Sequence, residues 1–113
     1  MITLNTLVDE FGFLSLVEGI DLNREITSLN CCDLLSWVMA NGKENEAWIT
    51  VMTHTNILAV TSLLDMACVI IPEGIAVETA TIDKAKEKGI AIFSTSDNAF
   101  KIFTKFYEKG LRV

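Results

Sequence analysis

The sequence predicts an α/β protein: a single small domain over residues 1–113, with a mostly parallel sheet of about four strands and helices on both faces. Three observations carry this reading. From residue 46 onward, apolar runs of strand length alternate with segments of helical period, in the order βαβαβα with short polar connections. The runs ACVII (67–71) and IAIF (90–93) are apolar without interruption, as strands covered on both faces must be. Half of the residues are hydrophobic and the mean hydropathy is +0.40, which is ample apolar material for one core at this length.

The elements follow in order. Leu4, Leu7 and Val8 share one face of a short helix at 4–10, with Gly12 as its stop. Residues 13–18 alternate and read as a strand ending at Gly19. The stretch 21–24 is polar and unpatterned, and 25–29 is short and extended. Asp33 is placed to cap a helix reaching Met39 or Ala40, with Leu34, Leu35, Val38 and Met39 as its apolar stripe and Asn41-Gly42 as the stop. A strand at 47–52 leads to a helix capped by Thr55 or Asn56 that runs to about Leu64. That helix is apolar almost all round, which implies packing on two sides: the sheet, and a neighbouring subunit. Pro72 ends the strand at 67–71. The helix at 78–88 turns Thr81, Ile82 and Ala85 inward and stops at Gly89. After the strand at 90–93, a cap among Ser96 to Asn98 starts a last helix at 99–109. Phe100, Phe103, Phe106 and Tyr107 form its aromatic stripe.

Several function classes drop out on composition. Nine Lys and Arg stand against 15 Asp and Glu, a net charge of −6, so nucleic-acid binding is disfavoured. No apolar run reaches the ~18–20 residues of a membrane span. The N-terminus has no basic segment of the secretory kind, and the expected location is the cytoplasm. Cys31, Cys32 and Cys68 form neither a disulfide framework nor a CxxC pair, so free structural thiols are expected. Glu44, Glu46, Glu73, Glu78 and Asp83 read as solvated surface acids. There is no GxGxxG after a strand, no P-loop, no HExxH and no GxSxG. The expectation is therefore a protein that is not an enzyme, with no metal and no cofactor.

What remains are the polar turns at the carboxyl edge of the sheet, where ligands of open parallel sheets collect. Three turns fall there, 72–76 among them; the two richest in hydroxyl and amide groups are Thr53, His54, Thr55 and Asn56, holding the only histidine, and the turn that begins with Ser94, Thr95 and Ser96. Both lead into helices, whose first N–H groups suit phosphate or carboxylate. Two readings stand beside each other: these residues are ordinary helix caps, or they bind a small anionic metabolite or nucleotide. His54 is the member that capping explains least.

With these residues in hand, the chain resembles a stand-alone DRTGG domain, related to the N-terminal domain of HPr kinase/phosphorylase. The resemblance rests on Arg24-Glu25-Ile26-Thr27, on Asp33-Leu34-Leu35-Ser36 with Val38-Met39-Ala40-Asn41, and on Trp48-Ile49-Thr50 with the 53–56 turn. AKEKGIAIFST (85–95) and the aromatic helix complete it. The name-giving motif itself departs: Asn23 stands for the acid, and Ser28-Leu29 stand where two glycines belong. The resemblance implies a regulatory, ligand-sensing module that is not a catalyst, with Arg24, Thr27 and Asp33 as its motif loop. The phosphoryl-transfer domain of the kinase relatives is not part of this sequence. The resemblance also implies an association with iron hydrogenases and related redox enzymes. The expected partners are a second copy in a homodimer, the small anionic ligand, or a protein served by an accessory or assembly module.

Overall fold

In the computed structural model, which describes residues 1–113, ten elements follow the chain. They are α1 (Leu4–Asp9), β1 (Leu14–Ser15), β2 (Ser28–Cys31), α2 (Leu35–Asn41), β3 (Glu46–Ile49), α3 (Asn56–Leu63), β4 (Cys68–Ile71), α4 (Thr79–Lys88), β5 (Ile92–Ser94) and α5 (Ala99–Glu108). The strands lie in the order β1-β5-β4-β3-β2. The pairs β2–β3, β3–β4 and β4–β5 are parallel, while β1 runs antiparallel to β5.

The sheet is therefore mixed and five-stranded, not the mostly parallel sheet of about four strands that the sequence predicts. Two local facts produce the difference. The alternating stretch 13–18 contributes only two ladder residues, between Gly12 and Gly19, both at positive φ (74° and 77°). The extended stretch 25–29 begins by pairing with the N-terminus: Ile26 N–H donates to the Ile2 carbonyl, and Thr3 bridges Glu25. It joins the sheet only from Ser28, so β2 starts later than its extended character suggests.

From β2 to β5 the strands advance one place at a time in one direction. Right-handed crossovers of such a series all fall on one face. Accordingly, Val38 of α2, Ile57, Leu58 and Val60 of α3, and Ala85 of α4 share one apolar cluster with Trp48, Val69, Ile71 and Ile92. The opposite face holds only α1 and α5: Leu4, Leu7, Ile102 and Phe106 pack there with Ala47, Ile49, Cys68, Ile70 and Phe93. Helices thus cover both faces, three on one and two on the other. All four residues of β3 and of β4 are buried, as strands covered on both sides require.

The helices refine the sequence reading. Between α2 and α4, α3 packs sideways as well as downward, which accounts for an apolar surface wrapping most of the way round it. Gly89 caps α4 in the left-handed conformation (φ 69°, ψ 32°), where a side chain would be strained. Gly42 closes α2, and a Cβ there would stand 2.8 Å from the Val38 carbonyl oxygen. The aromatic residues of α5 divide: Phe106 is buried beside Phe11, whereas Phe100, Phe103 and Tyr107 are exposed.

Candidate functional site

The carboxyl edge is built from the ends of β2, β3, β4 and β5. Just past β3, the Thr50 hydroxyl donates to Asp33 Oδ1 at 2.8 Å, and Val51 N–H donates to the same oxygen at 2.9 Å. Asp33 therefore does not cap α2. The N-cap position belongs to Leu34, and the Asp33 carboxylate instead ties the exit of β2 to the exit of β3. Next in the chain, the Thr53 carbonyl accepts from the Thr81 hydroxyl at 2.7 Å, fastening the 53–56 turn to α4. Thr81 is fully buried, at the inward position its helical spacing assigns.

In that turn the cap comes from an unexpected residue. Neither Thr55 nor Asn56 caps α3 with its side chain. Nδ1 of His54 accepts the Asn56 N–H at 3.3 Å, so the imidazole takes the place of the usual hydroxyl or carboxylate acceptor. His54 and Asn56 are exposed, and Thr53 and Thr55 are half-buried. The edge thus presents hydroxyl, amide and imidazole groups beside a helix N-terminus, a set suited to hydrogen-bonding an anion.

The second turn sits at the point where the sheet changes face. The chain leaves β4 toward α4 on one side and leaves β5 toward α5 on the other, which makes the β4/β5 boundary the topological switch of the parallel strands. Here the loops are stitched together. Glu73 N–H donates to the Asp97 carbonyl and Gly74 N–H to the Thr95 carbonyl, both at 2.9 Å. Thr95 Oγ1 also accepts the Asp97 N–H, at 3.1 Å, and Asn98 caps α5 by accepting from Lys101 N–H at 2.9 Å. Ser94, Thr95 and Ser96 thus belong to a closed loop pair, separated from the 53–56 turn by the exit of β4. Four surface cavities of about 260–330 Å³ include no residue of either turn.

The motif loop is divided between opposite ends of the sheet. Asp33 stands at the carboxyl edge, while Arg24 stands at the amino edge. There the Arg24 guanidinium pairs with Asp65 Oδ1 at 3.0 Å and donates to the Asp65 carbonyl at 2.6 Å and to Asn45 Oδ1 at 3.0 Å. It clamps the loop before β3 to the loop before β4, beside a cavity of about 330 Å³ shared with Asp21 and Lys88. Thr27 is exposed, and its N–H donates to the Asn45 carbonyl at 3.0 Å.

Glu46 is not the surface acid its neighbours suggest. It is 6 % exposed, and three donors converge on it: Lys43 N–H at 2.7 Å, and the side chains of Ser28 and Asn30 at 3.2 Å each. The one sequence signal was its position at the head of a strand whose other members are all apolar. Among the cysteines, Cys31 is exposed, Cys32 half-buried and Cys68 buried. Partial covering of its sulfur pushes the Cys31 thiol up, reinforced by the neighbouring Asp33 and Cys32. No group of three metal-ligating side chains converges anywhere in the chain.

Burial drives the Cys68 thiol far above its ordinary 9.0, against a smaller opposing pull from Arg24. The folded state then keeps a proton that the unfolded state loses, so this stabilisation is complete below pH 9 and declines as pH rises. Between about pH 9.5 and 10.5 the wild type should lose on the order of 1 kcal/mol more than a Cys68→Ala variant. Urea unfolding at the two pH values checks this, and parallel losses in both proteins would contradict it.

No family model matches the chain, and no curated protein matches it. Among solved structures, the chain superimposes on the CBS and DRTGG domains of the regulatory region of Clostridium perfringens pyrophosphatase, crystallised in complex with its activator, diadenosine tetraphosphate. The TM-score is 0.66 over 90% of this chain, with 14% sequence identity. The chain has a DRTGG-like fold. This DRTGG-like chain spans 44% of the chain it matches, and at that identity the likeness establishes the fold alone. No helix of the DRTGG-like fold is long and apolar enough to cross a membrane.

Proposed function

We propose that this DRTGG-like domain is a non-catalytic regulatory module that senses a small anionic metabolite or nucleotide at the carboxyl edge, and that it works as a homodimer. The observation that carries the reading is the fold shared with a regulatory region whose structure holds a nucleotide activator. The ligand belongs at the 53–56 turn, where the exposed His54 and the side chains of Thr55 and Asn56, which make no capping bond, come together at the positive end of α3; the first N–H groups of the helix are themselves held by His54 and Thr55. Redox or hydrogenase systems are the setting that the sequence resemblance suggests.

A thermal-shift screen with nucleotides, dinucleoside polyphosphates and phosphorylated metabolites tests the sensing role. A true ligand at a hundredfold excess over its Kd stabilises by about 2.7 kcal/mol. His54→Ala should abolish that shift. A screen silent across all three classes would reject the reading. It would favour the second one, an accessory or assembly module without a small-molecule ligand, for which the exposed Phe100, Phe103 and Tyr107 speak.

A further inference from the structure

We infer that a second copy of this chain docks along the β2 edge and the exposed aromatic stripe of α5, extending the sheet through both copies. The inference rests on the homodimer clause of the proposed function and adds the surface.

β2 forms one end of the sheet and pairs only with β3. Edge strands are usually protected from further pairing by Lys, Pro or a covering element. The residues of β2 are Ser28, Leu29, Asn30 and Cys31, with neither Lys nor Pro and no charge. Leu29 and Cys31 pair with Ala47 and Ile49, and so face the side of the sheet that carries α5. That side has only two helices for five strands. Between α5 and β2 it leaves a groove of about 260 Å³, lined by Leu29, Phe103, Phe106, Tyr107 and Leu111.

A strand edge of this kind is self-complementary. A two-fold axis perpendicular to the sheet runs β2 antiparallel to its own copy and keeps the α5 faces of both copies on the same side, an isologous contact. The aromatic side chains of each α5 are then available to the groove of the other. The area is adequate. A standard interface takes about 800 Å² from each partner, of which roughly 60% is apolar. Phe100, Phe103 and Tyr107 are 75%, 39% and 62% exposed. At about 200 Å² per aromatic side chain they supply roughly 350 Å² of the apolar part, and Leu29 with Leu111 extends it. The charge balance favours this location as well. Each copy carries −6, so copies repel over most of their surface, whereas this stripe carries a local positive charge that offsets the repulsion, the Arg112 guanidinium lying 3.7 Å from the centroid of the Tyr107 ring.

Sedimentation velocity over a concentration series tests the surface. The wild type should dimerise. The double variant Phe103→Glu/Tyr107→Glu, which alters each ring twice per dimer, should dimerise about a hundredfold more weakly or worse. Leu63→Glu, exposed on α3, should leave the dimer intact. Because the double variant can fail to fold, hydrogen exchange on the wild type supplies an independent readout: protection at residues 28–31 should rise with protein concentration. A dimer indifferent to the double substitution, or exchange at 28–31 independent of concentration, overturns the surface alone. A chain monomeric at every concentration overturns the homodimer clause with it. Neither result touches the nucleotide screen.

Discussion

Trp48→Ala should lower the free energy of unfolding by about 3–5 kcal/mol, the range for deleting a fully buried large aromatic side chain. Trp48 is completely enclosed on β3, in the cluster where α2, α3 and α4 meet the sheet. Its indole N–H donates to the Cys32 carbonyl at 3.0 Å, so the ring also holds the exit of β2. The substitution removes both the packing and the donor. Domains of this kind have about 5–15 kcal/mol in total, so the variant should sit close to the edge of folding. Trp48→Phe keeps most of the volume and loses the hydrogen bond, and should cost about 1–2 kcal/mol. Trp37 is an internal contrast: it lies exposed on α2, and Trp37→Ala should change monomer stability by less than about 0.5 kcal/mol. Urea unfolding followed by circular dichroism measures all three. A loss below about 1 kcal/mol for Trp48→Ala would be incompatible with the buried position described above.

Glu46→Ala should cost about 3 kcal/mol, close behind. Its carboxylate collects donors from β2 and from the loop before β3. Removing it takes the charged acceptor away from three part-buried donors, on half-buried Ser28 and Asn30 and on exposed Lys43, and each such bond is worth about 1 kcal/mol where water replaces it in part. Glu46→Gln separates shape from acceptor capacity, since an amide nitrogen must then face one of the donors. It should lose about half as much. Thermal and urea unfolding give the comparison, and an Ala variant as stable as the wild type would show that water reaches these donors.

The parallel half of the fold was legible because its determinants are local. Continuous apolar runs marked β4 and β5, and the amphipathic spacing of 78–88 with Gly89 marked α4. Misreadings came where a distant partner prevailed over a local preference. Asp33 precedes a helix and has the right chemistry for a cap, yet its carboxylate is taken by Thr50 and Val51, 17 and 18 positions away. Glu46 follows a polar loop and looks solvated, but Ser28 and Asn30 reach it from the neighbouring strand. For the candidate site, alternation of strands and helices was enough to place the 53–56 turn at the carboxyl edge. The role of His54 as the cap of α3 was not readable, because imidazole is a rare acceptor there. The position of Arg24 at the opposite edge depends on where β2 begins, which the N-terminal pairing decides.

The two-residue strand β1 has a consequence for how the chain closes. Each parallel pair joins strands that follow one another in the sequence, so each closes only a crossover of about twenty residues. The β1–β5 pair joins Leu14 to Ser94. Lys105 beside it reaches back 94 positions to the Phe11 carbonyl, and Lys109 reaches back 99 positions to Glu10. Bringing together ends so far apart costs about 1.4 kcal/mol more loop entropy than a twenty-residue crossover. In kinetic terms the row of parallel strands can assemble stepwise, and residues 2–5 find their partners early at 22–26, whereas β1 has a partner only once β5 exists. The least conspicuous strand is thus the clasp that ties the first part of the chain to the last.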